Sequence, residues 1–149
     1  MNPFDIRAAL LAKHSQHVVL IHFPIALFIA GVIFDFLAQR TKWRALAAAA
    51  YYNLLGAAIS VVPVVVTGLL AWQFQLEGQK LKGILLMHLV LGCASAILIW
   101  IIGGLHVRAR GELPRRLPVL RLGLETLVVA IVGLTGHLGG FLSGVNGPS

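Results

Sequence analysis

Four apolar stretches, at about 18–38, 46–73, 83–105 and 117–141, each reach or exceed the roughly 20 residues that a helix needs to cross a hydrocarbon core about 30 Å thick. Hydrocarbon offers backbone amides no hydrogen-bond partner, so such stretches must pair their N–H and C=O groups internally, and without alternating strand patterns they do so as helices. The chain has 149 residues, which leaves little for a soluble domain. Only 11% of them are charged, against roughly 25% in an ordinary soluble domain. The expected fold is all-α: a polytopic four-transmembrane-helix bundle over 18–141, with an N-terminal interfacial segment at 1–17 and a flexible tail at 142–149. Asn2 and Pro3 suit the start of a short surface helix in "NPFDIRAALLAKHSQH". The first span is expected to stay in the protein, because Asp5 lies in the segment before it and no small-residue cleavage site follows.

The net charge of +7 suggests nucleic acid until the basic residues are placed. Eight of them, Arg40, Lys42, Arg44, Arg108, Arg110, Arg115, Arg116 and Arg121, flank the first and third connections; the other four, Arg7, Lys13, Lys80 and Lys82, lie on the opposite side. Membrane orientation accounts for this bias, and no nucleic-acid partner is expected. The rule that basic loops stay inside puts both termini in the periplasm of a bacterial inner membrane, as a multi-pass protein whose first partner is the lipid bilayer. The single Cys93 allows neither an internal disulfide nor a cysteine-based metal cluster, and reads as a small buried side chain.

Short internal matches suggest two duplicated helical hairpins. "LIHF" at 20–23 and "LMHL" at 86–89 align His22 with His88 at an offset of 66, and Ala26 and Gly92 each follow their histidine by four residues. "VTGLLA" at 66–71 and "LTGHLG" at 134–139 align Thr67-Gly68 with Thr135-Gly136 at an offset of 68. Parallel repeats of this kind are related by an axis along the membrane normal.

With that orientation, His22, His88 and His137 all fall about one to two turns below the outer surface. Intramembrane polar side chains usually face the bundle interior or a wet cavity, so three imidazoles in one layer form a candidate site. The plainer reading of each is a hydrogen bond to a nearby carbonyl or a reach toward the headgroups. His22 and His88, as repeat mates on diagonal helices, suit axial ligation of a haem b iron, each ring held by a hydrogen bond from its other nitrogen. His137 would be a substitute ligand or a hydrogen-bond donor to a cofactor or quinone. Ala26, Gly68, Gly92, Gly136, Gly139 and Gly140 would give a flat macrocycle room, although small residues serve close helix packing equally well. The same three histidines would alternatively bind Zn or Cu. His14 and His17 read as surface residues, with His17 at the edge of the site, and His106 reads as interfacial beside arginines.

The inner half carries Asp35 and Glu125, a possible proton path that Asn53 and Ser60 would extend, although an ion pair between Arg121 and Glu125 one turn later is the simpler expectation. Pro24 removes the helical donor to the Leu20 carbonyl and is expected to bend the first span so that His22 turns inward; Pro63 should loosen the second span near Ile59. Trp43 and Trp72 read as interfacial anchors.

"HFPIAL" with Asp35 downstream, then "VTGLLAW", the third-span histidine and the closing "TGHLGG" resemble the bacterial membrane proteins grouped as domain of unknown function 2231, over roughly 17 to 141. The recognisable positions are His22, Pro24, Asp35, Gly68, His88, His137 and Gly140. The resemblance implies a small four-helix protein and, because some members are joined to Rieske-type modules, an electron-transfer context with other membrane or redox subunits as partners. It implies no particular activity. Three expectations therefore stand: a membrane-bound b-type haem protein or subunit moving electrons near the periplasmic face, a cofactor-free structural or assembly subunit, and a metal or proton carrier. No nucleophile with a partnered base and no phosphate loop is present, so catalysis on a substrate is not expected.

Overall fold

The computed structural model describes residues 13–74, 78, 80–109 and 119–143, with side chains at 16–74, 78, 80–109 and 120–143. These residues form five helices: α1 (Lys13–Leu20), α2 (His22–Thr41), α3 (Arg44–Phe74), α4 (Gly83–Arg108) and α5 (Val119–Leu142). Four spans follow, Gln16–Thr41, Arg44–Phe74, Gly83–Arg108 and Leu120–Leu142, each long and apolar enough to cross a membrane. The fold is all-helical among the described residues, as the apolar runs require. The expected interfacial segment falls mostly outside those residues, though its end, from Lys13, is already helix α1; the tail beyond Ser143 and most of the basic linker lie outside them too.

α1 and α2 make one span with a break at Ile21. Pro24 accounts for it: the ring has no N–H for the Leu20 carbonyl and crowds that oxygen, while the amides on either side still reach back, Ile21 N–H to His17 O at 3.0 Å and Ile25 N–H to Ile21 O at 3.4 Å. Pro63, by contrast, leaves α3 continuous for 31 residues. α2 and α3 are joined by a tight turn in which Lys42 takes the left-handed conformation (φ 60°) and its N–H caps the Ala38 carbonyl at 2.8 Å. Thr41 Oγ1 completes it by accepting from the Trp43 amide.

α2, α3, α4 and α5 pack in a ring in that order, closed by α5 against α2, and α1 seats mainly on α3. Phe28, Leu54, Ile99, Ile102, Val128 and Val132 fill the centre. Gly31 and Gly103 bring α2 and α4 up to α3: a methyl at Gly31 would stand 2.7 Å from the Leu54 side chain, and one at Gly103 would stand 3.1 Å from Ala58 Cβ. Elsewhere the exterior is apolar, with Phe23, Ile33, Ile59, Ile97 and Leu127 more than half exposed. A soluble protein does not present such a surface on every helix; a bilayer supplies its cover.

The burial pattern is itself duplicated. Pro24, Phe28, Gly31 and Asp35 are buried on α2, and 71 residues later Ser95, Ile99, Ile102 and His106 are buried on α4. Leu54, Ala57 and Val61 on α3 likewise match Glu125, Val128 and Val132 on α5. The two hairpins, α1–α2–α3 and α4–α5, thus repeat at an offset of 71. This corrects the offsets of 66 and 68 read from short string matches, and it changes which residues are mates.

Candidate functional site

Two polar constellations sit at opposite ends of the bundle. His88 and His106 lie on the same helix 18 residues apart, which is about 27 Å along its axis.

At the end where α1 and α4 begin, His17 Nδ1 lies 3.1 Å from the Val64 carbonyl and 3.4 Å from Thr67 Oγ1. His88 Nδ1 lies 3.0 Å from the Thr135 carbonyl. The His17 ring covers Gly68 and the His88 ring covers Gly139, where added methyls would meet Cε1 at 2.9 and 3.1 Å. Histidine, carbonyl and glycine recur at 17, 64 and 68 and at 88, 135 and 139, again 71 residues apart. The two rings meet in a T-shaped, edge arrangement, with centroids 6.4 Å apart and planes at 86°. Because each Nδ1 meets a carbonyl, the proton belongs on Nδ1 and leaves Nε2 with its lone pair.

Both rings line a cavity of about 270 Å³ between the hairpins. Its walls are otherwise apolar except for Trp72, Cys93, Ser95 and Thr135. Ser95 Oγ bonds Thr135 Oγ1 at 3.2 Å, and Thr135 Oγ1 donates to the Ile131 carbonyl.

The expected site residues divide at this cavity. His88, Gly68, Gly92, Gly136 and Gly139 line it; His22, His137, Ala26 and Gly140 do not. His22 is exposed, and its Nδ1 donates to Val18 O of its own span at 2.7 Å. His137 is exposed, edge-on to Phe141 at 5.0 Å. The break ahead of Pro24 therefore does not turn His22 inward; it is His17, one turn earlier, that meets His88. Cys93 is exposed at the cavity wall, not buried, and Trp72 lines the cavity as well as ending its helix.

At the other end, Asp35 of α2, His106 of α4 and Arg121 and Glu125 of α5 converge. His106 Nε2 is 2.9 Å from Glu125 Oε1 and 4.0 Å from Asp35 Oδ2. Arg121 donates through Nη2 to Asp35 Oδ2 at 2.8 Å, and its Nε lies 3.4 Å from Glu125 Oε1. Asp35 is 3% exposed, His106 7% and Glu125 0%, so the ions see protein and not headgroups. His106 is thus no interfacial residue. The pairing of Arg121 with Glu125 exists, but the shorter contact of Arg121 is across to Asp35. Asn53 and Ser60 do not extend this group; they bond the Ala49 and Ala57 carbonyls of their own helix. Donor atoms of Asp35, His106 and Glu125 all lie within 4.8 Å of one another, close enough to bind a metal ion. Arg121 already brings to both carboxylates the positive charge an ion would bring, so these residues are not assigned here as metal ligands.

Sequence reasoning put His17 only at the edge of the site, read His106 as interfacial and did not see the contact of Arg121 with Asp35. The signal for the first is present: "HVVL" at 17–20 matches "HLVL" at 88–91 at the true offset. For the other two no local signal exists, because the contacts span 19 and 86 residues.

Fold and surface define a polytopic membrane protein of two duplicated hairpins. A family described as predicted membrane protein (DUF2231) matches residues 13–147, and the chain belongs to that family. No curated protein and no solved structure gives a significant match.

Proposed function

We propose that the protein is a b-type haem carrier of the bacterial inner membrane, with His17 and His88 as the residues that would hold the haem near the periplasmic face and both termini on that side. The observation behind it is the 6.4 Å separation of the two imidazoles. At that separation the two imidazoles would hold one iron between them, each through a single nitrogen. Their Nδ1–carbonyl bonds fix the tautomer and orientation that ligation requires. His17, His88 and Cys93 line the cavity, but among the described residues no group of three ligand atoms close enough to share a bare Zn or Cu ion lies there. A porphyrin brings four nitrogens of its own, and supplies one-electron chemistry when bound.

In this reading, Val64 and Thr135 orient the rings, Gly68 and Gly139 make space for them, and the apolar walls keep water away. The cavity, at about 270 Å³, lies just below the roughly 300–1,000 Å³ range of ligand sites. The expected redox partners are other membrane or electron-transfer subunits. His22, His137, Ala26 and Gly140 would then serve packing or the outer surface.

The test is absorption of the detergent-purified protein before and after dithionite. A Soret and α-band shift that is lost in His17→Ala and in His88→Ala, but kept in His22→Ala, supports the assignment. Loss in His22→Ala with retention in His17→Ala restores the other pair. A colourless protein carrying stoichiometric Zn or Cu replaces haem by a metal site, and a colourless, metal-free protein leaves a structural or assembly subunit.

A further inference from the structure

The buried group at the opposite end has a charge count that points to a ligand. With Asp35 and Glu125 ionised, Arg121 charged and His106 neutral, it carries a net −1 in a membrane-buried, low-dielectric position, where an unbalanced charge is costly. One added proton makes it neutral. A second observation agrees: Glu125 is fully buried, and its Oε2, like Arg121 Nε, has no hydrogen-bond partner among the described residues. A carboxylate oxygen left so costs more than the same atom in a neutral acid.

We propose that Asp35, His106, Arg121 and Glu125 form a proton-binding site whose His106–Glu125 pair takes up one exchangeable proton. His106 Nε2 and Glu125 Oε1 are 2.9 Å apart, a hydrogen bond that neutral His106 already makes through its own Nε2–H. The added proton turns the pair into imidazolium and carboxylate or into imidazole and carboxylic acid, and Glu125 Oε2, without a partner among the described residues, is where the acid form carries it. Asp35 and Arg121 neutralise each other and hold the pair in place. The charged neighbours of Glu125 are His106 from α4, Asp35 from α2 and Arg121 from its own helix; α3 faces this layer with Leu54, which packs on Gly31 and Gly103. Exchange is with the membrane face at which α4 ends, since His106 lies two residues before Arg108, the helix's last residue.

The proposal does not depend on haem, and infrared spectroscopy of cofactor-free protein in lipid vesicles tests it separately. Titration between about pH 5 and 8 should show a deuterium-sensitive signal from either a protonated carboxylic acid or an imidazolium ring. Glu125→Gln should abolish the signal, and His106→Gln should move its midpoint by about one pH unit or more, a tenfold change in proton affinity. If either variant fails to fold, the deuterium shift in the unmodified protein and the Asp35→Asn midpoint carry the test. A titration without either signal, or one that Glu125→Gln leaves unchanged, overturns it. So does stoichiometric Zn²⁺ or Mn²⁺ binding that Glu125→Gln removes, which makes the group a metal site.

Discussion

Both ends of the bundle are built from the same two repeated hairpins, and they differ in kind. At the first, the repeat is intact: His17 and His88 each bond a carbonyl and cover a glycine, 71 residues apart, and meet across the pseudo-twofold axis. At the second, the copies have diverged. Asp35 has His106 as its mate, Leu54 has Glu125 and Ala50 has Arg121, so the first hairpin contributes one carboxylate and the second hairpin contributes the other three ionisable groups. A symmetric pair suits a ligand lying on the axis, contacted equally from both sides. A one-sided cluster suits an internal charge balance that only one hairpin needs to complete.

Breaking the charged end should have the largest effect on stability. Asp35→Ala leaves the Arg121 guanidinium buried beside His106 without its shortest partner. Truncating one member of a buried ion pair typically costs 3–5 kcal/mol, and the unfolding midpoint in mild detergent should fall accordingly. Asp35→Ala with Arg121→Leu also takes from Glu125 its permanent cation, 3.4 Å away, so the loss should be recovered only when Glu125→Gln is added. If that triple variant is no more stable than Asp35→Ala alone, the charges are not coupled as the 2.8 Å contact between Asp35 and Arg121 implies.

Next comes the close approach that sets the spacing between the ends. Gly31→Ala places a methyl 2.7–2.8 Å from Leu54 side-chain atoms and 3.2 Å from the Leu54 amide nitrogen. Leu54 is fully buried and has nowhere to go, so overpacking of about 1–3 kcal/mol is expected. Gly103→Ala meets only Ala58 Cβ at 3.1 Å and should cost less. Equal losses would mean that α2 and α4 approach α3 equally closely.

Gly68→Ala and Gly139→Ala then test the symmetric end directly. Each methyl meets one imidazole, at 2.9 and 3.1 Å. Both should displace a ring with little change in stability, and in a haem-loaded protein both should shift the Soret band. A shift from only one of them would show that the two histidines are not equivalent ligands.

The spans were legible because hydropathy adds up along a helix, and their ends were placed to within a few residues. The register of the repeat was not. Burial follows contacts between helices, and a short apolar word such as "LIHF" recurs easily without sharing them; the burial and hydrogen-bond patterns distinguish 71 from 66. His17 was discounted because it precedes the apolar run, yet α1 carries it against α3, where Gly68 leaves room for the ring. His106 looked interfacial because arginines follow it in sequence, and a residue 19 positions on, across the basic linker, decides its burial. Asp35 and Glu125 were visible as intramembrane carboxylates, which are rare enough to stand out, but nothing local said that they share a partner.

The smallest expected effect probes a difference between the hairpins beside the cavity. Ser95 bonds Thr135, whose carbonyl orients His88; at the equivalent place in the first hairpin stands Pro24, which has no side-chain donor. Ser95→Ala leaves Thr135 Oγ1 still donating to Ile131 O, so no polar atom is orphaned. The loss should be close to the average for a hydrogen bond between membrane helices, about 0.6 kcal/mol. If the Ser95 hydroxyl does not bear on the His88 ring, Ser95→Ala should leave the spectrum of a haem-loaded protein unchanged. A spectral shift without loss of stability would instead show that the second hairpin holds its histidine by an added bond, which Pro24 denies the first.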